Sequence, residues 1–441
     1  MNNSSFIDLS QLRVGMFVHL DVGWMRHPFP VSSFRIASLD QIDTLRGLGL
    51  ERVRYAPEKS APPPEAEAEK QPEQEAQAET KTDIAAAPES AALANAFPVA
   101  WSSAPLEMPL KRRLAAQQRC LISSDQRFLS AVDQYRSLAQ VARKDVARAR
   151  TVSQALVSDC VDDLQSNGES VIRLLSEGVG EGNAMHPINV MVLCLLLGKA
   201  QGLTAPELQE LGLAALLHDL GKLQLPAQVA QPSPSRAGGE RIGYEDHVGA
   251  SVALAQSMEL SSTVLIAIAQ HHEMADGSGF PLGLLGEDLS PAGRILALVN
   301  HYDGLCNPVN HADSLTPHEA LSVLFSRLKK HFDPATLNAF IRMMGVYPPG
   351  SVVQLVNGLY ALVVSVNSAR PLRPKVIVHD PDVSQANAHL LDLESLPELG
   401  IRRSLKPSQL PRAALDYLSP RQRICYFFER AVELPRHEGS L

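Results

Sequence analysis

Between Leu208 and Leu217 the chain sheds its polar side chains, ending Leu211-Gly212-Leu213-Ala214-Ala215-Leu216-Leu217, and passes directly into His218-Asp219-Leu220-Gly221-Lys222. A helix that is apolar all round belongs in a core. An imidazole, a carboxylate and an ammonium at the end of such a helix each carry a burial cost of roughly a few kcal/mol or more unless something binds them. A bound cation removes that cost, and His with Asp suits a divalent transition metal with mixed nitrogen and oxygen ligands. Gly221 is expected to stop the helix. The run therefore calls for a helical domain with a polar, metal-binding floor.

Four more places set polar ligands against apolar helices. His186 opens the helix Pro187 to Lys199, where proline suits the first turn. His247 is expected to begin a helix reaching Met258. His271-His272-Glu273 ends the apolar run Val264 to Ala269, and Asn300 and Asp303 lie toward the end of the run that starts Arg294-Ile295-Leu296. One histidine near a core is commonly just a satisfied core residue. Five such places within about 120 residues, including an adjacent histidine pair, point to metal. Six nitrogen and oxygen donors exceed one tetrahedral zinc site. They suggest two metals, or three, of the iron or manganese type, and two cations about 3.5–4 Å apart are a usual device for phosphoester hydrolysis. Beside the histidine pair runs Asp276-Gly277-Ser278-Gly279-Phe280-Pro281-Leu282-Gly283, a shaped loop. Gly279, Phe280 and Pro281 are candidates for a substrate wall, with Phe280 placed to stack on a base.

At 441 residues the chain is too long for one ordinary domain, and two or three are expected. Residues 1–57 suit a small α+β domain: strands at Met16 to Val22, Phe34 to Ile36 and Arg52 to Tyr55, a helix from Leu39 to Leu48, and a loop carrying Trp24 and His27. Residues 58–105 read as a Pro-, Ala- and Glu-rich disordered linker with too little apolar mass to fold. Its stretch 58–90 holds nine acids and three lysines, so −6 of the net −8 sits there. The folded parts are left near neutral, which argues against binding a nucleic-acid polymer through a basic surface. Residues 106–345 are helical almost throughout, with Ser124 to Leu175 forming two or three helices and Phe128, Leu129, Val132, Tyr135 and Leu138 on one stripe. They are expected to pack on the helices that follow rather than to form a coiled-coil stalk. Residues 346–441 read as a β-rich module: a hairpin turning at Asn357-Gly358, a strand at Lys375 to His379, and a helical tail from Ser408 to Leu434. Five scattered cysteines without a C-x-x-C pair suit reduced thiols in the cytoplasm. No signal peptide is expected, nor membrane insertion, since the longest apolar run, Val190 to Leu197, is far short of the ~20 residues of a span.

His186, His218-Asp219-x-x-Lys222, His247, His271-His272-Glu273, Asp276 to Pro281 and Arg294-Ile295-Leu296 together resemble the HD-GYP family, a branch of the HD-domain metal phosphohydrolases. The resemblance covers about 150 to 345, and residues 1–57 are similar to the small domain often found ahead of HD-GYP domains in bacterial signalling proteins. It implies an all-helical HD-type domain, and with the flanking segments read above the expected fold is mainly α, that domain flanked by a small N-terminal α+β domain and a small C-terminal β module. It implies a cyclic di-GMP substrate, hydrolysed to pGpG or GMP, and a centre of two or three divalent metals, here expected to be Fe or Mn, held by His186, His218, Asp219, His247, His271 and His272. Asp219 and Lys222 would serve catalysis, Lys222 by stabilising charge on the scissile phosphate.

The chain departs from the family pattern in places. Where the family's motif runs Gly-Tyr-Pro, this chain has Gly279-Phe280-Pro281, with a ring but no hydroxyl. Asn300 stands where a ligand aspartate is usual, an uncharged donor for one metal. Gly182 stands where members with three metals carry a glutamate, hence the expectation of two. The stretch Cys306 to His311 lacks the usual basic residues, and Gln231 to Glu245 reads as a mobile flap. Two readings follow: a cyclic di-GMP phosphodiesterase, or a catalytically weak relative acting as nucleotide sensor or scaffold, with room for a homodimer or a signalling-protein partner. Turnover discriminates between them.

Overall fold

A computed structural model of the chain describes residues 5–20, 33–36, 39–46, 50, 52–60, 108–165, 170–176, 184–226, 229, 238–367, 373–385, 388–396 and 398–430. Trp24, His27, Gly182 and most of the expected linker lie outside them.

Near the N-terminus, β1 (Ser5–Asp8), β2 (Phe17–His19), β3 (Ser33–Arg35), α1 (Leu39–Arg46) and β4 (Arg52–Tyr55) form an antiparallel sheet in the order β1-β4-β2-β3 with one helix. Val18, Ile36, Ile42, Leu45 and Val53 make its separate apolar core. The expected α+β elements are there, and β1 is an added strand.

The helices are α2 (Met108–Val141), α3 (Val146–Gln165), α4 (Met185–Ala200), α5 (Ala205–Leu217), α6 (Gly238–Ser257), α7 (Ser262–Ala269), α8 (Pro291–Cys306), α9 (Pro317–Ser326) and α10 (Pro334–Met344). Their starts are written in the sequence. Ser261 and Ser290 accept the Val264 and Gly293 amides, and Thr316 and Glu319 cap each other's backbone reciprocally. α4 is central, packed by α5, α8 and α10, and Ile188 to Leu197 are at most 3% exposed. Burial on that scale, about 1.5–3 kcal/mol for each large aliphatic side chain, holds the bundle together. Phe128, Val132, Tyr135 and Leu138 of α2 join this core, although Leu129, expected on the same stripe, is 42% exposed.

Several local expectations are corrected. The apolar helix ends at Leu217 without a glycine, and Gly221 lies inside a 3-10 turn, Leu220–Gln224. His247 does not begin a helix; α6 starts at Gly238, so the second half of the expected flap is helical and residues 231–237 lie outside the described residues. Ser170–Leu174 is a strand, β5, within a region expected to be helical.

The C-terminal strands are β6 (Val352–Leu355), β7 (Tyr360–Asn367), β8 (Lys375–Val378), β9 (His389–Asp392), β10 (Ile401–Leu405) and β11 (Tyr426–Arg430), with α11 (Arg412–Leu418) between the last two. Asn357-Gly358 makes the expected turn between β6 and β7. β5 inserts between β7 and β11, so a strand from among the helices completes the C-terminal sheet. One face of β7, Leu362 and Val364, joins the helical core; Ala361 and Val363 face a smaller cluster with Tyr347 and Leu399. The expected helical tail is a helix only to Leu418. Ser419 turns left-handed at φ 41°, Pro420 follows, and the Tyr426-Phe427-Phe428 run pairs with β5 instead. Its aromatic composition favours a pleated surface over a helix. No helix among the described residues is long and apolar enough to cross a membrane.

Candidate metal centre

The polar ends of the buried helices converge. His186 comes from the first turn of α4, His218 and Asp219 from the end of α5, His247 from the middle of α6, and His271 and His272 from the turn after α7. His218 and His247 are fully buried, and His271 and Asp219 are 1% and 9% exposed.

One local arrangement recurs three times. His218, His247 and His271 each donate Nδ1–H to the carbonyl three residues back, Ala215, Tyr244 and Ile268, at 2.7, 2.5 and 2.6 Å. His186 donates Nδ1–H to the Asp303 carboxylate at 2.5 Å. Spending the proton on Nδ1 fixes the tautomer and leaves Nε2 bare. These bare nitrogens meet in pairs: His186 and His218 Nε2 are 3.1 Å apart, and His247 and His271 Nε2 are 3.2 Å apart. Two ring nitrogens this close need a proton or a metal cation between them.

Asp219 joins the two pairs. Its Oδ2 lies 3.5 Å from Nε2 of both His186 and His218, and its Oδ1 lies 3.4 and 3.7 Å from Nε2 of His247 and His271. Asp219, His247, His271 and His272 form one cluster of donor atoms within 4.8 Å of one another, and His186, His218 and Asp219 form a second. Asp219 Oδ1 and His272 Nε2 are buried without a hydrogen-bond partner. Orphaned buried acceptors are costly, and a divalent cation would satisfy both. The residues therefore fit a metal.

The electrostatics agree. Burial pushes His218 down to about 4. Burial, and then the neighbouring imidazoles, hold His271 and His272 well below the ordinary histidine value, and burial lowers His247. These rings stay neutral, as ligands must. Burial opposes ionisation of Asp219, but Lys222, His218 and His186 outweigh it and keep the carboxyl well below the usual range. Burial pulls His186 down, yet the Asp303 hydrogen bond and charge raise it overall.

Lys222 sits one 3-10 turn beyond Asp219, and residues three apart eclipse in such a turn. Its Nζ is 2.5 Å from Asp219 Oδ2 and 5.3 Å from the centre of the Tyr244 ring. Gly221 lets this turn press on α6. A Cβ there would lie 2.2 Å from the His247 carbonyl oxygen and 2.5 Å from the Ser251 nitrogen. Gly221 thus sets how closely Asp219 approaches His247.

The loop beside the histidine pair is pinned by Glu273, which is fully buried and accepts the Leu282 and Leu284 amides at 2.6 and 2.9 Å. Gly279 passes so close to the chain that a Cβ would lie 2.3 Å from the Met274 nitrogen. Phe280 stacks on His272 at 4.5 Å between ring centres, which places Gly279-Phe280-Pro281 at the rim of the cluster.

Asn300 is close by, its amide 3.5 Å from the His271 carbonyl. Asp303 is not among the clustered donors; it orients His186. Tyr244, Asn189 and Asn307 went unnoticed in the sequence. Tyr244 packs against His247 and Phe280, and both asparagines bond Asp303. Only the spacing of Asn189 and Asn307, three and four residues after His186 and Asp303 on their helices, could have drawn attention to them.

Residues 169–336 match the HD domain, and residues 5–168 match a domain of unknown function, DUF3391. A cyclic di-GMP phosphodiesterase of Pseudomonas aeruginosa is 27% identical over 84% of this chain and 84% of its own length. The cyclic di-GMP phosphodiesterase PdeB of Borreliella burgdorferi is 24% identical over 51% of this chain and 60% of its own. The cyclic di-GMP phosphodiesterase response regulator RpfG of Xanthomonas campestris is 32% identical over 33% of this chain and 39% of its own. With its His-Asp pair, its histidine pair and its Gly-Phe-Pro loop gathered around one divalent-metal-binding cluster, the segment 169–336 is an HD domain, similar to those of the HD-GYP cyclic di-GMP phosphodiesterases.

Proposed function

We propose that the chain is a metal-dependent phosphodiesterase that hydrolyses cyclic di-GMP to pGpG or GMP in bacterial second-messenger signalling. The carrying observation is the Asp219 carboxylate, one oxygen turned to His186 and His218 and the other to His247 and His271. A carboxylate so shared suits two cations, one taken by His186, His218 and Asp219, the other by Asp219, His247, His271 and His272. The neutral imidazoles and the hard carboxylate favour iron or manganese. When bound, such cations hold phosphoryl oxygens and lower the pKa of water to generate a nucleophile at neutral pH.

The chain's own residues do the rest. Asp303 and the carbonyls of Ala215, Tyr244 and Ile268 hold the ligand protons away from the centre. Lys222 keeps its charge, since Asp219 and Tyr244 outweigh the burial that opposes it, and so it is available to a phosphate whose charge grows during reaction. Phe280, already stacked on His272, offers a flat apolar wall for a guanine. Asn300 supplies an amide oxygen where a carboxylate would bind more tightly.

The test is turnover. Protein reconstituted anaerobically with Fe(II) or Mn(II) is incubated with cyclic di-GMP, and pGpG and GMP are followed by chromatography. Product formation is expected, abolished in His218→Ala/Asp219→Ala. No product with either metal, with product restored by Asn300→Asp, would mean a damaged centre and overturn the enzymatic reading for the natural chain.

A further inference from the structure

The start of β11, the last strand among the described residues, is tied to Asp303 beside the candidate metal centre through two asparagines. Asn189 of α4 donates to Asp303 Oδ1 at 2.5 Å and to the Ile424 carbonyl at 3.2 Å, and accepts the Tyr426 amide at 2.8 Å. Asn307, at the end of α8, repeats the pattern: it donates to Asp303 Oδ1 at 2.9 Å and to the Ile424 carbonyl at 2.8 Å, and accepts the Ile424 amide at 2.8 Å. Two carboxamides thus straddle one carboxylate oxygen and one carbonyl. The other carboxylate oxygen, Oδ2, is left to His186 Nδ1.

We propose that Asn189 and Asn307, anchored on the backbone of Ile424 and Tyr426, are positioning residues for the His186 side of the metal centre. The start of the C-terminal strand is then a working part of that centre, although Ile424, just before it, lies 117 residues beyond Asn307 and outside the matched HD segment, which ends at 336. The physical reason is rotational. A buried carboxylate with one free oxygen can swing about its Cβ–Cγ bond, and the imidazole bonded to it swings too. Saturating Oδ1 from two helices fixes the carboxylate plane, hence the ring of His186 and the aim of its Nε2. Packing alone would not require both amides to choose the same two acceptors. The inference rests on the two-cation reading given above.

The test uses the full-length chain and Mn(II), with metal per chain and stepwise affinity measured by equilibrium titration. The natural chain is expected to take up two ions. Asn307→Ala should weaken one of them about 10- to 100-fold, the range for losing a group that orients a metal ligand, and leave the other unchanged. Asn307→Ser, smaller in effect and safer for folding, should weaken the same ion by less. In a His186→Ala background, Asn307→Ala should add no further loss, because it acts through His186. Phe427→Leu, which thins the packing of the same strand but touches none of these hydrogen bonds, should lower Tm and leave both affinities alone. Equal weakening of both ions, additive loss in the double variant, or a lowered Tm with both affinities intact in Asn307→Ala would each overturn the proposal. A natural chain that takes up no Mn(II) would overturn the metal centre itself and this inference with it.

Discussion

Lys222 Nζ and Asp219 Oδ2 are 2.5 Å apart, and Oδ2 is the oxygen that faces His186 and His218. A cation held on that side would compete with the ammonium for this oxygen. Lys222→Met should leave Mn(II) affinity equal or higher while kcat for cyclic di-GMP falls roughly 100-fold, as for loss of one charge-stabilising group. Metal titration beside steady-state kinetics checks this; a parallel fall in metal affinity would make Lys222 a structural partner of Asp219.

Asp219 belongs to both donor clusters, and His272 to only one. Asp219→Asn should abolish tight binding of both metals, whereas His272→Ala should cost one of the two. Metal content per chain after dialysis distinguishes them. Equal losses in the two variants would show that the clusters do not act as separate sites.

Gly221→Ala places a methyl group against backbone on α6 that cannot step aside. Overpacking of this kind costs about 1–3 kcal/mol, read as a lower urea midpoint. The same displacement moves Asp219 away from His247, so turnover should fall more than the loss of stability explains.

Acid should destabilise the metal-free protein. His218, held at about 4, and His247, His271 and His272, also lowered, stay neutral in the fold but take up protons near 6.5 when unfolded. Below that pH the unfolded state binds more protons, so stability falls as pH falls below about 6.5, for His218 until about 4 and by up to about 1.4 kcal/mol per pH unit, with the other three adding in the same direction. His186, which is raised, works the other way: its contribution is complete below 6.5 and is lost as pH rises through its folded value. Being constant below 6.5, that contribution does not offset the loss in acid. Urea unfolding of the chelated protein between pH 7 and 5 should show a falling midpoint, and a flat profile would contradict the neutral assignments.

The amino-acid sequence by itself determined that the chain builds a helical bundle with a metal-binding floor. The reason is local and energetic: apolar runs that end in His218-Asp219 and His271-His272 cannot be buried without a charge to balance them. Pro187 at the start of α4 and Asn357-Gly358 at the hairpin were legible too, since each acts within a turn of itself. The roles of Gly221 and of the last strand were not. Gly221 was expected to end a helix, because a glycine beyond an apolar run usually does; that it instead admits the 3-10 turn to α6 depends on His247 and Ser251, which no local pattern connects to it. Tyr426-Phe427-Phe428 could extend a helix or pair as a strand, and β5, more than two hundred residues earlier, decides which. Only the tertiary structure decided that Asp219 is shared between two sets of imidazoles, and that Asn189 and Asn307 tie Asp303 to Ile424. Hydrogen bonds and ligand clusters are contacts between points brought together by packing, and a sequence records the points without the distances between them.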